Sequence, residues 1–264
     1  MALFDGGDPP SPRSTLQLPH REEKPRRVGL TMVIDGGLPT HRFQDVVEST
    51  GPLIDLVKFG WGTALVTPDL DRKIEVLRRA GIGYYFGGTL LEIFLQQDRL
   101  DDYRRLCHEH GCRIVEVSNG TIELSNHDKA RIIETLREDF DVISEVGYKD
   151  TERSQALPPV RWIEYMREDL AAGASLVITE ARETGRSGIC RPDGELRYGL
   201  IEEILDSDVD LERVLFEAPT KDLQTHFVRR VGTNVNLGNV AAEDVIGLET
   251  LRLGLRADTV GVVG

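Results

Sequence analysis

Residues 54–86 read IDLVKFGWGTALVTPDLDRKIEVLRRAGIGYYF, and this stretch decides the fold. Ile54-Asp-Leu-Val-Lys-Phe59 and Gly83-Tyr-Tyr-Phe86 are short runs rich in apolar and aromatic residues, bounded by glycine, as strands are. Between them, Thr67-Pro68-Asp69 offers a cap hydroxyl before a proline at the first helical position, and Gly81 supplies the stop. Strand, helix and strand within about thirty residues make a βαβ unit, whose strands lie parallel.

The alternation continues in both directions. Eight candidate strands can be drawn: Val28–Ile34, Ile54–Phe59, Gly83–Phe86, Arg113–Val117, Val142–Val146, Leu176–Thr179, Val214–Phe216 and Asn234–Leu237. Eight parallel strands close a barrel, and 264 residues suit the ~250 of a single one. The expected architecture is α/β, one (β/α)8 barrel over residues 27–264. Ser125 with Asp128 reads as a box-like helix start, and Val245, Leu248, Leu251 and Leu255 as the apolar stripe of the last helix. Residues 1–26, rich in Pro, Arg, Ser and Gly and without apolar period, read as a flexible leader.

A net charge of −13 works against non-specific attraction to nucleic acid or anionic membranes, which need clustered positive charge. No apolar run reaches the ~18–20 residues of a membrane span. Cys107, Cys112 and Cys190 cannot all pair within one chain and lack zinc-site spacing, so they read as reduced, buried residues. The cytoplasm is the expected location, and self-association is left open. His41, His108, His110, His127 and His226 show no ligand spacing; Trp61 reads as a pocket wall or as packing, and Trp162 as helical core.

In a parallel barrel, reacting groups sit where the strands end. The candidate ends read Asp35, Lys58, Glu116 with Asn119, Glu145 with Lys149, Glu180 with Arg182, Glu217, and Asn236. Charges gathered near one axis need partners, a metal or an anion, with structural ion pairs as the plainer alternative. The carboxylates suit a hard cation, and Lys58, Lys149 and Arg182 suit phosphate or carboxylate. Gly87-Gly88-Thr89 and Gly238-Asn239 let backbone approach a ligand, the second pair near the strands whose loops often hold phosphate.

These strand ends also carry a resemblance. Asp35-Gly-Gly-Leu38, Ile54 through Thr63, Phe86-Gly-Gly-Thr-Leu90, Glu116-Val-Ser-Asn-Gly120 and Ser144-Glu-Val-Gly-Tyr-Lys-Asp150 resemble the phosphosulfolactate synthase family. Glu180-Ala-Arg-Glu-Thr-Gly185, Phe216-Glu-Ala-Pro219, Asn234-Val-Asn-Leu-Gly-Asn239 and Leu248 through Arg256 extend it, so that it covers about residues 24–260. The resemblance implies a TIM barrel, Mg²⁺, and a lyase of the sulfonate route toward coenzyme M that adds sulfite to C3 of phosphoenolpyruvate. It puts the catalytic lysine at Lys149. Attack at C3 drives electrons toward the carboxylate, so a cation is needed there, and a lysine with a pKa lowered by neighbouring cations would protonate C2.

On that reading Lys149 and Glu145 are catalytic, and Lys58, Arg182, Asn236, Gly238 and Asn239 bind substrate. Glu116, Glu145 and Glu180 hold the metal. Gly36, Asn119 and Tyr148 stand where methanogen-like members carry lysine, aspartate and lysine, which resembles the bacterial branch. These departures leave a related barrel enzyme with another nucleophile as one alternative, and the family's plant relatives, linked to heat tolerance, leave a non-catalytic stress-related protein on the same fold as another.

Overall fold

The computed structural model describes residues 16–262 apart from residue 183. Eight strands, β1 (Thr31–Asp35), β2 (Leu56–Phe59), β3 (Gly83–Phe86), β4 (Ile114–Val117), β5 (Asp141–Val146), β6 (Leu176–Thr179), β7 (Val214–Glu217) and β8 (Asn236–Val240), form one sheet. Its ladders are parallel and its order is β3-β2-β1-β8-β7-β6-β5-β4, so the sheet curls until β3 and β4 lie side by side without ladder pairing. This is the single (β/α)8 TIM barrel expected.

The helices that wrap it are α1 (Thr40–Thr50), α2 (Thr63–Val66), α3 (Leu70–Arg79), α4 (Gly88–Gln96), α5 (Leu100–Glu109) and α6 (Asn126–Leu136). They continue with α7 (Thr151–Ala156), α8 (Pro159–Ala172), α9 (Tyr198–Leu205), α10 (Lys221–Val231) and α11 (Val245–Arg252). Among the described residues no helix is long and apolar enough to cross a membrane.

Strand period two sorts the side chains into two cores. Outward residues such as Val57, Phe59, Val115, Val177 and Phe216 pack against the helices, with Trp162 of α8 fully buried among them. Inward residues Met32, Leu56, Tyr85, Ile143, Ile178 and Leu215 fill the lower barrel as a separate apolar plug. Two positions further along β2, β4, β5, β6 and β7, still on the inward face, come Lys58, Glu116, Glu145, Glu180 and Glu217. An ionic layer therefore rests on an apolar floor.

Local signals mostly act as read. Gly81 (φ 62) ends α3: its N–H donates to the Arg78 carbonyl, and that of Ile82 to the Leu77 carbonyl, as in a Schellman motif. Ser125 caps α6 by accepting from the Asp128 N–H. Thr67 does not cap α3. Its hydroxyl donates to the Thr63 carbonyl, because the unforeseen turn of α2 brings that acceptor within 2.8 Å. The last helix stops at Arg252, so Leu255 leaves the apolar stripe and is exposed.

Residues 1–15 of the expected leader lie outside the described residues, but 16–26 cross the base of the barrel as an attached strap. Arg21 reaches Glu249 (3.2 Å) and Asn234 (2.8 Å), Lys24 donates to the carbonyls of Gly51 and Ile54, and Arg26 pairs with Asp55 (3.0 Å).

Candidate active site

β8 begins at Asn236, where the sequence reading had it nearly ended, and this moves two expected substrate ligands. Asn236 sits at the basal rim: its Oδ1 accepts from the Leu30 N–H, and its Nδ2 donates to the carbonyls of Glu212 and Val214. Gly238 lies inside the barrel wall, where a Cβ would come 2.3 Å from Leu215 and 2.6 Å from Met32. Neither residue lines the cleft formed at the other end of the strands. Asp35 leaves the expected ring too, since it is an outward residue paired with buried Lys73 of α3 at 2.6 Å.

The remaining residues converge. Lys58, Gly87, Gly88, Thr89, Glu116, Glu145, Lys149, Glu180, Arg182, Glu217 and Asn239 line one cleft at the C-terminal end of the strands, walled by Ile34 and Trp61. The hollow between Pro19, Val28 and Gly232 at the base lacks this convergence of charge. Trp61 and Asn239 both adopt left-handed backbone (φ 52 for each). For residues with a Cβ this conformation is uncommon and collects at functional sites.

Lys58 Nζ stands at the centre, 3.0 Å from Glu116, 3.2 Å from Glu145 and 3.3 Å from Glu217. Lys149 reaches Glu145 at 2.8 Å and Glu180 at 3.5 Å, and its side chain remains 22% exposed toward the opening. Glu116 is fixed from below α4, its Oε1 accepting from the Gly88 N–H at 2.5 Å. That N–H is therefore already engaged and not free for an anion. Arg182, at the exposed rim, has no carboxylate partner among the described residues.

Four buried carboxyl groups face two lysines, and the imbalance governs their protonation. Burial raises Glu116 and raises Glu180 far above the usual range, the latter helped by the charge of Glu145. Burial also pushes Glu217 up to about 8, against the pull of Lys58. Glu145 alone goes down: burial opposes its charge, but Lys149 and Lys58 outweigh that. Burial would likewise lower Lys149, yet Glu145 and Glu180 hold it above its ordinary value. The lowered lysine expected from neighbouring cations is thus reversed, because carboxylates are the nearer charges.

Oxygen atoms of Glu145, Glu180 and Glu217 lie within 4.8 Å of one another, and Glu180 Oε2 is buried without a hydrogen-bond partner. Such an all-oxygen, net-anionic set matches what a hard divalent cation takes. Glu217 was read as part of the ring but not as a metal ligand; Glu116 was, yet it stands nearer Lys58 and Gly88. A signal for Glu217 was available. Val115-Glu-Val, Ser144-Glu-Val, Thr179-Glu-Ala and Phe216-Glu-Ala repeat one pattern at the ends of four successive strands.

The three departures from the methanogen-like pattern each have a local setting, which for Gly36 leaves room for a Cβ in ordinary contact. A Cβ on Gly36 would meet the Trp61 ring at 3.4 Å, Asn119 donates to the Leu124 carbonyl, and Tyr148 lies under the Arg153 guanidinium at 4.1 Å.

The family model of (2R)-phospho-3-sulfolactate synthase (ComA) matches residues 19–258. Phosphosulfolactate synthase of Bacillus subtilis (strain 168) is 46% identical over 93% of this chain and 97% of its own. That of Methanothermobacter thermautotrophicus is 39% identical over 93% and 96%. A solved 3-hexulose-6-phosphate synthase shares the barrel at a TM-score of 0.54, over 84% of this chain and 97% of its own, with 16% identity, a likeness of fold alone. On the family model and on these identities, the chain belongs to the (2R)-phospho-3-sulfolactate synthase family of enzymes.

Proposed function

We propose that this enzyme adds sulfite to C3 of phosphoenolpyruvate to give (2R)-phospho-3-sulfolactate, with Mg²⁺ held by Glu145, Glu180 and Glu217 and with Lys149 as proton donor. The observation that carries the reading is the partly open Lys149 ammonium beside a buried set of carboxyl groups that outnumber the lysines facing them. Mg²⁺ supplies a Lewis acid for the substrate carboxylate, the group on which charge builds as sulfur attacks. Lys149, kept protonated by Glu145 and Glu180, delivers its proton to C2, a carbon centre basic enough to take it.

The sulfite lone pair forms the C–S bond, the C2–C3 π pair moves toward C1, and the Lys149 proton closes the new C2–H bond. Arg182 at the rim and the Asn239 amide meet the anionic ends of the substrates. The buried free cysteines fit a reducing cytoplasm, and nothing in the reaction calls for nucleic acid or membrane.

The direct test is ³¹P NMR of folded protein with phosphoenolpyruvate, sulfite and Mg²⁺, beside reactions offering thiols or other oxyanions instead. Phosphosulfolactate from sulfite alone is expected. No product from folded protein would remove the reading, and turnover with another nucleophile would redirect it to a related addition.

Metal binding carries its own pH signature. Glu217 ionises near 4.3 in an unfolded chain and at about 8 in the folded one. Its contribution to stability is therefore full below the unfolded value and is lost as pH rises through about 8. A cation that takes its oxygen reverses that loss. Mg²⁺ binding at pH 7 should release on the order of one proton per ion, seen by calorimetry in buffers of different ionisation enthalpy. Mg²⁺ should also raise the unfolding temperature more at pH 8 than at pH 6. Heats that do not depend on the buffer would show that binding displaces no proton from Glu180 or Glu217 and would count against both as ligands.

A further inference from the structure

The seam between β3 and β4 lacks a ladder, and α4 bridges it instead. Its first residue, Gly88, donates to Glu116 of β4, and one turn later Glu92 points its carboxylate into the loop that follows the same strand. Glu92 is 1% exposed and accepts from the Ser118 hydroxyl and from three successive backbone N–H groups: Gly120 at 3.2 Å, Thr121 at 2.7 Å and Ile122 at 3.0 Å. A buried carboxylate with four donors is a strong, directional anchor for a loop that forms no strand or helix. It does not line the cleft itself.

The gathered loop is the surface on which Lys149 rests. The Gly120 carbonyl accepts from the Lys149 N–H at 3.1 Å. The lysine stem lies over Gly120, where a Cβ would stand 3.5 Å from Lys149 Cγ and 3.6 Å from its Nζ, and 3.2 Å from the Gly147 carbonyl. Backbone and side chain of the lysine are therefore set by one glycine, and that glycine is held by Glu92.

We propose that Glu92 is a positioning residue for Lys149: its carboxylate fixes the Ser118–Ile122 loop, and the loop fixes where the ammonium stands over the carboxylate cluster. This rests on the reading of Lys149 as proton donor. Glutamine at position 92 keeps the shape but turns an NH₂ toward a row of donors, so the loop must relax. Displacements near 1 Å in a reacting group can cost about a hundredfold in rate.

The test uses the full chain with Glu92→Gln and Ser118→Ala, measuring kcat, KM and amide hydrogen exchange at Thr121, Ile122 and Lys149. Glu92→Gln should speed exchange at the Lys149 amide by about tenfold or more while amides of β6 and β7 keep their protection. It should lower kcat by about tenfold to a hundredfold with KM for phosphoenolpyruvate within about threefold. Ser118→Ala should move both readouts the same way by less, and it decides the matter alone if Glu92→Gln does not fold. Wild-type protection at Lys149, or equal loss of protection throughout the barrel, overturns the proposal. If Lys149→Ala turns over normally, the proton-donor reading fails, while the exchange rates still decide whether Glu92 sets this lysine.

Discussion

Lys149→Ala is expected to lower kcat for phosphosulfolactate formation by about 10²–10⁴-fold, the usual contribution of a positioned general acid. The side chain is partly open to the cleft, and its removal leaves Glu180 able to stay protonated, so the barrel should remain folded. Lys149→Arg separates charge from proton: a guanidinium can still balance Glu145 but scarcely releases a proton. Arginine should restore KM toward wild type without restoring kcat. Initial rates of phosphosulfolactate formation for both variants give the answer, and turnover by Lys149→Ala within tenfold of wild type would take the acid role away from this residue.

Lys58→Met should instead strike stability, by about 3–5 kcal/mol at pH 8, the cost of leaving buried charge without its partner. Methionine fills similar space, so the loss reports charge rather than a cavity. Lys58 answers three carboxylates, and its own protonated form is held firmly because they outweigh its burial. Without it, Glu116 and Glu217 have their already raised values pushed further up and take protons at higher pH than before, so that at low pH they no longer need the cation. The penalty should therefore shrink as pH falls toward 5. Urea unfolding at both pH values tests this, and a penalty that is equal at both would show that Lys58 does not hold these groups ionised.

Much of the barrel could be read from sequence because its signals are local. β3 and β6 were legible to the residue, since each is a short apolar run entered from glycine or small residues, Gly81 before β3 and Gly173-Ala-Ser175 before β6. β8 was not. Asn234-Val-Asn-Leu-Gly-Asn-Val240 alternates polar and apolar only as far as Leu237 and loses its period at Gly238-Asn239, so nothing local tells which asparagine faces the base and which the cleft. Asn236 and Asn239 are the same residue type three positions apart, yet one satisfies backbone at the lower rim and the other borders the site. The Asp35 carboxylate was read as functional because its partner, Lys73, lies 38 residues away on a helix. The direction of the Lys149 shift depends on which charges are nearest in space, and sequence lists the charges without the distances.

The strap across the base gives the chain's early residues a job apart from chemistry. Arg21, Lys24, Arg26 and buried Arg252 together satisfy carbonyls and carboxylates around the lower opening, including those of Leu30, Thr233 and Val235. Cationic side chains here act as a keystone: they tie the strap and the last helix to the segments that lead into β1 and β8 beneath the apolar plug. The upper loops can then be reshaped for a different anion without loosening what they stand on, so substrate preference and foundation are free to diverge separately.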